Sequence, residues 1–214
     1  MSDTINSLKE SIITYNRNMA QETAVKAIEE GIEPNDILAG MTETIRKIGD
    51  DFGKGELFLP DLVGAANAMS GAIAVVEAEI EKSGKEVEKI GTVVLGTVKG
   101  DIHDIGKTMV KTFLVAENFR VIDLGVDISS EHFIEAIEKY NPEILALSAL
   151  LTTTVTEQNR IIEVLKNKGI REKVKVIIGG AATTQEFADE IGADGYEATA
   201  ARAPRLCKTL LGKE

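Results

Sequence analysis

The residues best placed to do chemistry are Asp101 and His103, in the stretch Lys99-Gly100-Asp101-Ile102-His103-Asp104-Ile105-Gly106-Lys107. The β-branched, glycine-flanked run Ile90 to Val98 before it reads as a buried strand, and Thr108 to Glu117 after it has the apolar spacing of a helix. His103 therefore lies in a strand-to-helix loop. In an open parallel sheet, loops at the carboxyl ends of strands are where ligands bind. An imidazole there is either an ordinary solvated or hydrogen-bonded side chain or part of a ligand site. Asp101 has the character of a cap or turn residue, its carboxylate accepting backbone N–H groups. Two further loops carry small and hydroxyl residues: Ser148 through Leu150, Thr152, Thr153 and Thr154, and Gly179-Gly180-Ala181-Ala182-Thr183-Thr184. Paired glycines let a ligand lie against backbone, or simply close a tight turn; the threonines line a site or start a helix.

These loops need a frame, and the carboxyl-terminal half supplies one. Strands at about Ile90 to Thr97, Arg120 to Leu124, Ile144 to Ser148 and Val174 to Ile178 alternate with helices at about Asp104 to Glu117, Ser130 to Lys139, Thr154 to Lys168 and Thr184 to Ile191. A short strand near Asp194 to Tyr196 and a helix from Ala200 to Leu211 complete the series. Such alternation with right-handed crossovers gives a parallel sheet covered on both faces. The expected order, 2-1-3-4-5, puts the switch point between the first and third strands, where an elongated polar ligand fits across the three loops.

The amino-terminal part reads as helical. Ile5, Leu8, Ile12 and Ile13, then Ala20, Ala24, Ala27 and Ile28 as far as Gly31, recur at helical spacing. Pro34 with Asn35-Asp36 opens a third helix carrying Ile37, Leu38, Met41, Ile45 and Ile48, and Pro60 a fourth running to Glu81, so a four-helix bundle is expected. Between the last two, composition makes Phe52, Phe58 and Leu59 a plug at the bundle's end. Ser83 to Glu88, short and charged, is the best boundary, giving domains 1–86 and 87–214.

Composition narrows the partners. With 35 acidic against 24 basic residues the net charge is −11, which repels polyanions and argues against nucleic acid or an anionic membrane. Met1 to Tyr15 lacks a secretory core and no run of bilayer-crossing length is expected, so a cytoplasmic location follows. Cys207, alone, excludes an intrachain disulfide and reads as a small buried residue of the last helix.

The spacing of the three loops carries more than any loop alone. Asp101-x-His103-x-x-Gly106, then 41 residues, Ser148-x-Leu150, then 28 residues, and Gly179-Gly180 resembles the cobalamin-binding signature of corrinoid proteins, which hold the cofactor with its lower benzimidazole base displaced. The bundle with Glu56-Leu57-Phe58-Leu59-Pro60 resembles the cap domain that precedes it in methionine synthase and in the small methyltransferase corrinoid proteins. The resemblance implies a four-helix cap followed by a flavodoxin-like, doubly wound five-stranded domain. It implies His103 as the lower ligand of cobalt, with Asp101 and then Thr154 extending the relay behind it. Thr154 stands where methionine synthase has a serine. Gly100, Asp104, Ile105, Gly106, Ser148, Leu150, Thr152, Gly179, Gly180 and Thr183 would hold the cofactor and its nucleotide tail, and Phe52 and Leu59 would lie over the methyl face. The hinge of such a cap is expected at Ser83 to Glu88.

What the resemblance implies about function is a methyl carrier without a catalytic residue beyond the cofactor. One partner, a substrate-specific methyltransferase of the methylamine, methanol or aryl-ether kind, would load the cobalt. A second would pass the methyl to coenzyme M or tetrahydrofolate, and a reductive activator would restore oxidised cobalt. Two other readings stay open: a cobalamin sensor, and a cofactor-free interaction or receiver domain in which Asp123, near the end of the second strand, is the acceptor. A dinucleotide-binding reading is disfavoured because Gly96 to Gly106 lacks the Gly-x-Gly-x-x-Gly spacing.

Overall fold

A computed structural model describes residues 3–83 and 89–213, and these divide into two compact units. Of the described residues, 3–83 with 115–117 form the first and 89–114 with 118–213 the second. Of the hinge expected at Ser83 to Glu88, Ser83 is the last residue of a helix and residues 84–88 lie outside the described residues.

The first unit is built on α1 (Asp3–Ile13), α2 (Arg17–Glu29), α3 (Pro34–Gly53) and α4 (Leu59–Ser83). Asn16 caps α2 through Met19 N at 3.0 Å, and Pro34 starts α3 where its missing N–H costs nothing. Leu8, Ile12, Ala24, Met41, Ile45, Met69 and Ala72 are fully buried, so the apolar stripes read from spacing do face a common core. Helix α4 packs on α2 closely because its contact face is small. Gly71 lies where a Cβ would come within 3.0 Å of Arg17 Cγ, and the Arg17 guanidinium reaches Asn67 Oδ1 and Ser70 Oγ, each at 2.8 Å. By length and composition α4 is long and apolar enough to cross a bilayer, contrary to the sequence expectation. Half of its most apolar stretch is buried, including Leu62, Ala65, Met69 and Val76.

The expected aromatic plug is overturned in part. Phe52 sits half-buried in the last turn of α3, but Phe58 and Leu59 are 72% and 50% exposed. The cause is local: Gly55, at φ +78°, turns the chain so that Glu56 N and Leu57 N both bond to Asp51 O, and Asp61 Oδ2 then takes Phe58 N at 2.7 Å. The turn satisfies its backbone early and leaves the next two apolar side chains outside.

The second unit is a five-stranded parallel sheet in the order β2-β1-β3-β4-β5, as the alternation predicts. Its strands are β1 (Thr92–Thr97), β2 (Arg120–Asp123), β3 (Ile144–Ser148), β4 (Lys175–Gly179) and β5 (Gly195–Tyr196). Its helices are α5 (Ile105–Ala116), α6 (Ser130–Tyr140), α7 (Thr156–Asn167), α8 (Gln185–Ile191) and α9 (Ala203–Leu210). Ala200–Arg202, expected inside the last helix, forms a separate 3₁₀ turn ahead of Pro204. Side chains alternate across the strands, so each strand feeds two cores. Val94, Leu145, Leu147, Val176 and Ile178 pack with Phe133, Ile161, Ile162 and Leu165; Val93, Leu95, Ile144, Ala146 and Ile177 pack with Leu114, Phe119 and Cys207. Cys207 is fully buried in α9, and burial pushes its thiol up to about 12. The register sets Thr97 opposite Ser148 and Ser148 opposite Gly179, so the ends of β1, β3 and β4 share one row.

Candidate functional site

Because those three strand ends are in register, the loops leaving them lie side by side at the carboxyl edge of the sheet. The β1–α5 loop turns at Gly100, whose φ of +81° suits a residue without a Cβ. Gly100 N donates to Asp127 Oδ1 at 2.7 Å, Asp127 N donates to Asp101 O at 3.0 Å, and Thr97 Oγ1 donates to His103 O at 3.0 Å. The loop is thus held before any ligand is considered.

Asp101 is the centre of this site. Its carboxylate is fully buried and gathers donors from two loops. Oδ1 accepts His103 N at 3.0 Å and lies 2.7 Å from His103 Nδ1; Oδ2 accepts Leu150 N at 2.7 Å, Leu151 N at 3.3 Å and Thr154 Oγ1 at 2.7 Å. Burial by itself raises the pKa of such a group, but the bonds from His103 N, Thr154 Oγ1, the His103 ring and Leu150 N outweigh it and hold the carboxyl well below the usual carboxylate range. An ionised acceptor on Nδ1 makes that nitrogen the protonated one in neutral imidazole. Nε2 then carries the free lone pair. It has no hydrogen-bond partner among the described residues, and the His103 side chain is 48% exposed.

The remaining site residues fall into three groups. Asp104, Ile105 and Gly106 form the exposed start of α5, where Asp104 O takes Thr108 N at 2.7 Å and a Cβ on Gly106 would meet nothing within 4 Å. Ser148 ends β3 half-buried, its carbonyl bonded to Val98 N; Leu150 is 39% exposed, and Thr152 is exposed in the turn before α7. Gly179 and Gly180 carry the chain past β3. At Gly180, φ is +126° and a Cβ would stand 1.8 Å from Ala149 O, so only glycine fits. Thr183 is buried and donates Oγ1 to Gly180 O at 2.6 Å, closing the turn that the sequence left open as one of its two readings.

Phe52 and Leu59 belong to the first unit, at the end of α3 and the start of α4. Asp123, the acceptor of the receiver reading, is paired with Lys107 Nζ at 2.6 Å and Lys111 Nζ at 3.5 Å. One bracing residue escaped the sequence reading: Asp127, at φ +57°. Its signal was present in Gly125-x-Asp127 after β2, an acidic residue in a turn that tolerates a left-handed backbone.

The residues suit a corrinoid. An oriented imidazole with an unpartnered Nε2 offers one nitrogen ligand, and Ile102, Ile105, Leu150 and Leu151, which are 74%, 60%, 39% and 41% exposed, offer apolar contact beside it. Glycine at 179–180 lets the chain run in contact with backbone, a Cβ on Gly179 standing 3.6 Å from Glu197 O and one on Gly180 striking Ala149 O.

Comparison with known proteins agrees. Residues 91–205 match the family model described as a B12 binding domain, and residues 4–77 match a second model of the same description. A trimethylamine corrinoid protein of Methanosarcina barkeri is 42% identical over 204 residues, 95% of this chain and 94% of that protein. This chain belongs to the B12-binding corrinoid proteins. A corrinoid protein of Desulfitobacterium hafniense strain Y51 is 42% identical over 211 residues, 98% of each chain. Among solved structures, the methanol:cobalamin methyltransferase complex of Methanosarcina barkeri superposes with a TM-score of 0.81 at 30% identity, covering 100% of this chain and 81% of that one. A cobalamin-binding protein from Desulfitobacterium hafniense DCB-2 superposes at 0.75 with 28% identity, covering 98% and 99%. The family and the fold, a helical cap followed by a doubly wound α/β domain, are those expected from the sequence.

Proposed function

We propose that this corrinoid protein is a methyl carrier, with residues 1–86 as its cap and residues 87–214 as its cofactor domain. The observation that carries the reading is the Asp101–His103 pair: a buried, ionised carboxylate on Nδ1 leaves Nε2 of a half-exposed imidazole available to cobalt. When bound, the corrinoid supplies a cobalt that accepts a methyl group and passes it on. The chain's own part is to bind, orient and shield. His103 would hold the cobalt through Nε2. Asp101 fixes its tautomer and ring direction, and Thr154 holds Asp101 from the far side. Gly100, Asp104, Ile105, Gly106, Ser148, Leu150, Thr152, Gly179, Gly180 and Thr183 would hold the corrinoid and its nucleotide tail. Phe52 and Leu59 are the apolar cover of the methyl face, which keeps water from a reactive centre. The exposure of Phe58 and Leu59 supports this, because apolar side chains left outside a bundle are available to cover something else.

The relatives support methyltransferase partners. Matches named as trimethylamine and dimethylamine corrinoid proteins, and the structure titled as a methanol:cobalamin methyltransferase complex, support a substrate-specific methyltransferase as methyl source. A second methyltransferase acting on coenzyme M or tetrahydrofolate would take the group, and a reductive activator would return oxidised cobalt to service. Such an exchange belongs in the cytoplasm. Reconstitution with one equivalent of hydroxocobalamin tests the reading. The expected outcome is a coloured protein whose visible spectrum shows nitrogen ligation in the wild type and loses it in His103→Ala, while the variant still retains corrinoid through the tail contacts. A wild type that stays colourless after gel filtration would contradict it.

A further inference from the structure

Gln158 lies in the first turn of α7 and is fully buried. Its Nε2 donates to Leu147 O at 3.0 Å and to Gly179 O at 3.2 Å, so the amide spans the carboxyl ends of β3 and β4. Both partners are carbonyls, and that fixes which way the amide faces: the reverse orientation would set oxygen against oxygen. Oε1 is consequently buried with no donor among the described residues. Buried acceptors without donors are rare in folded proteins, and a ligand group is one way such an atom is satisfied.

The location gives the atom a meaning. Leu147 and Gly179 adjoin Ser148 and Gly180, which stand at the proposed channel for the nucleotide tail. Two neighbouring hydroxyls have spent their protons within the protein: Thr183 Oγ1 donates to Gly180 O at 2.6 Å, and Thr154 Oγ1 donates to Asp101 Oδ2 at 2.7 Å. Neither can therefore supply the donor that Gln158 Oε1 lacks. We propose that Gln158 is a specificity-determining residue for the displaced lower base, its amide oxygen accepting a hydrogen bond from a hydroxyl or exocyclic amine on the base edge. The site therefore favours corrinoids whose base carries such a donor over those whose base carries only methyl groups. This rests on the reading of the 148–183 loops as the tail channel.

The test uses pairs of corrinoids matched in size. The full-length apoprotein is titrated, with spectroscopic detection of binding, against 5-hydroxybenzimidazolyl and 5-methylbenzimidazolyl cobamides, then against adeninyl and purinyl cobamides. The first pair isolates a hydroxyl donor and the second an amine. Expected is a Kd about tenfold lower for the donor-bearing member of at least one pair, the scale of one hydrogen bond to a buried group. Gln158→Met, of similar length but without the amide acceptor, brings that ratio to about one. Its apoprotein is checked by circular dichroism, and the wild-type ratios stand by themselves if the variant fails to fold. Equal affinities within both pairs in the wild type, or a preference that survives in Gln158→Met, would overturn the role of Gln158. Failure of the wild type to bind any of the four would overturn the tail-channel reading and this proposal with it.

Discussion

Two loops at the same edge of the sheet are held in opposite ways. The β1–α5 loop is held by charge: one buried carboxylate, Asp101, collects donors from its own loop and from the β3–α7 loop. The β4–α8 loop is held by the absence of atoms, since Gly180 passes Ala149 O where no side chain fits and Thr183 ties the turn back on itself. The first arrangement fixes the direction of an imidazole, which needs directional bonds. The second lets two stretches of backbone pass in contact, which needs only that no side chain stand between them. Substitutions should therefore fail differently in the two loops.

The largest effect is expected at Gly180→Ala. A methyl group 1.8 Å from a backbone oxygen at a φ of +126° cannot be accommodated by a rotamer change, so β3 and β4 must separate. A stability loss of more than about 4 kcal/mol is expected, read from the urea midpoint by circular dichroism. A loss under about 1 kcal/mol would show that the turn relaxes freely and that clearance is not what fixes this loop.

Next is Asp101→Asn, which keeps the size and removes the charge. The amide cannot accept from the Leu150 and Leu151 N–H groups, the Thr154 hydroxyl and the His103 ring together, so a loss of about 3 kcal/mol is expected. The same variant should weaken axial ligation of reconstituted corrinoid, because the ring loses its orienting partner. Unchanged stability with altered ligation would make Asp101 a tuning group alone.

Acid should act on the same pattern. The carboxyls of Asp101, Asp123 and Asp194 are all depressed: burial opposes ionisation in each, and bonds from N–H groups, hydroxyl or cationic side chains outweigh it. A carboxyl depressed in the folded state binds its proton more readily when unfolded. Its contribution is complete above the unfolded value of about 4 and is lost as pH falls through the folded values below it. The urea midpoint of the wild type should accordingly fall steadily below about pH 4, and the Asp101→Asn profile should fall less. Parallel profiles would show that Asp101 takes no part in the acid transition.

The smallest effect is expected at Thr154. Replacing it with Ser keeps the hydroxyl and should be nearly neutral, whereas Thr154→Val removes one of the donors on Asp101 Oδ2 and should cost about 1–2 kcal/mol. Equal values for the two variants would mean the methyl group, not the hydroxyl, is what the site uses.

The sheet order was legible because alternating strands and helices with right-handed crossovers leave few topologies, and the bundle because four apolar stripes recur at helical spacing. The Asp101–His103–Thr154 relay was legible only through the family's spacing, since no local rule says that residues 53 apart in sequence share a hydrogen bond. Gln158 was missed because a glutamine in a helix reads as surface, and its burial is decided by the ends of two strands remote in sequence. The outward setting of Phe58 and Leu59 was missed because composition sends apolar residues inward, while the turn at Gly55 had already completed its backbone bonds.

The most direct test of the account is the electron paramagnetic resonance spectrum of the protein reconstituted with cobalamin and reduced to cobalt(II). With His103 on the cobalt, the expected nitrogen splitting of the cobalt lines changes from three components to two when the protein's histidine is labelled with ¹⁵N, and it vanishes in His103→Ala. A splitting unaffected by the histidine label would place the cofactor's own base on the cobalt and contradict the assignment of His103.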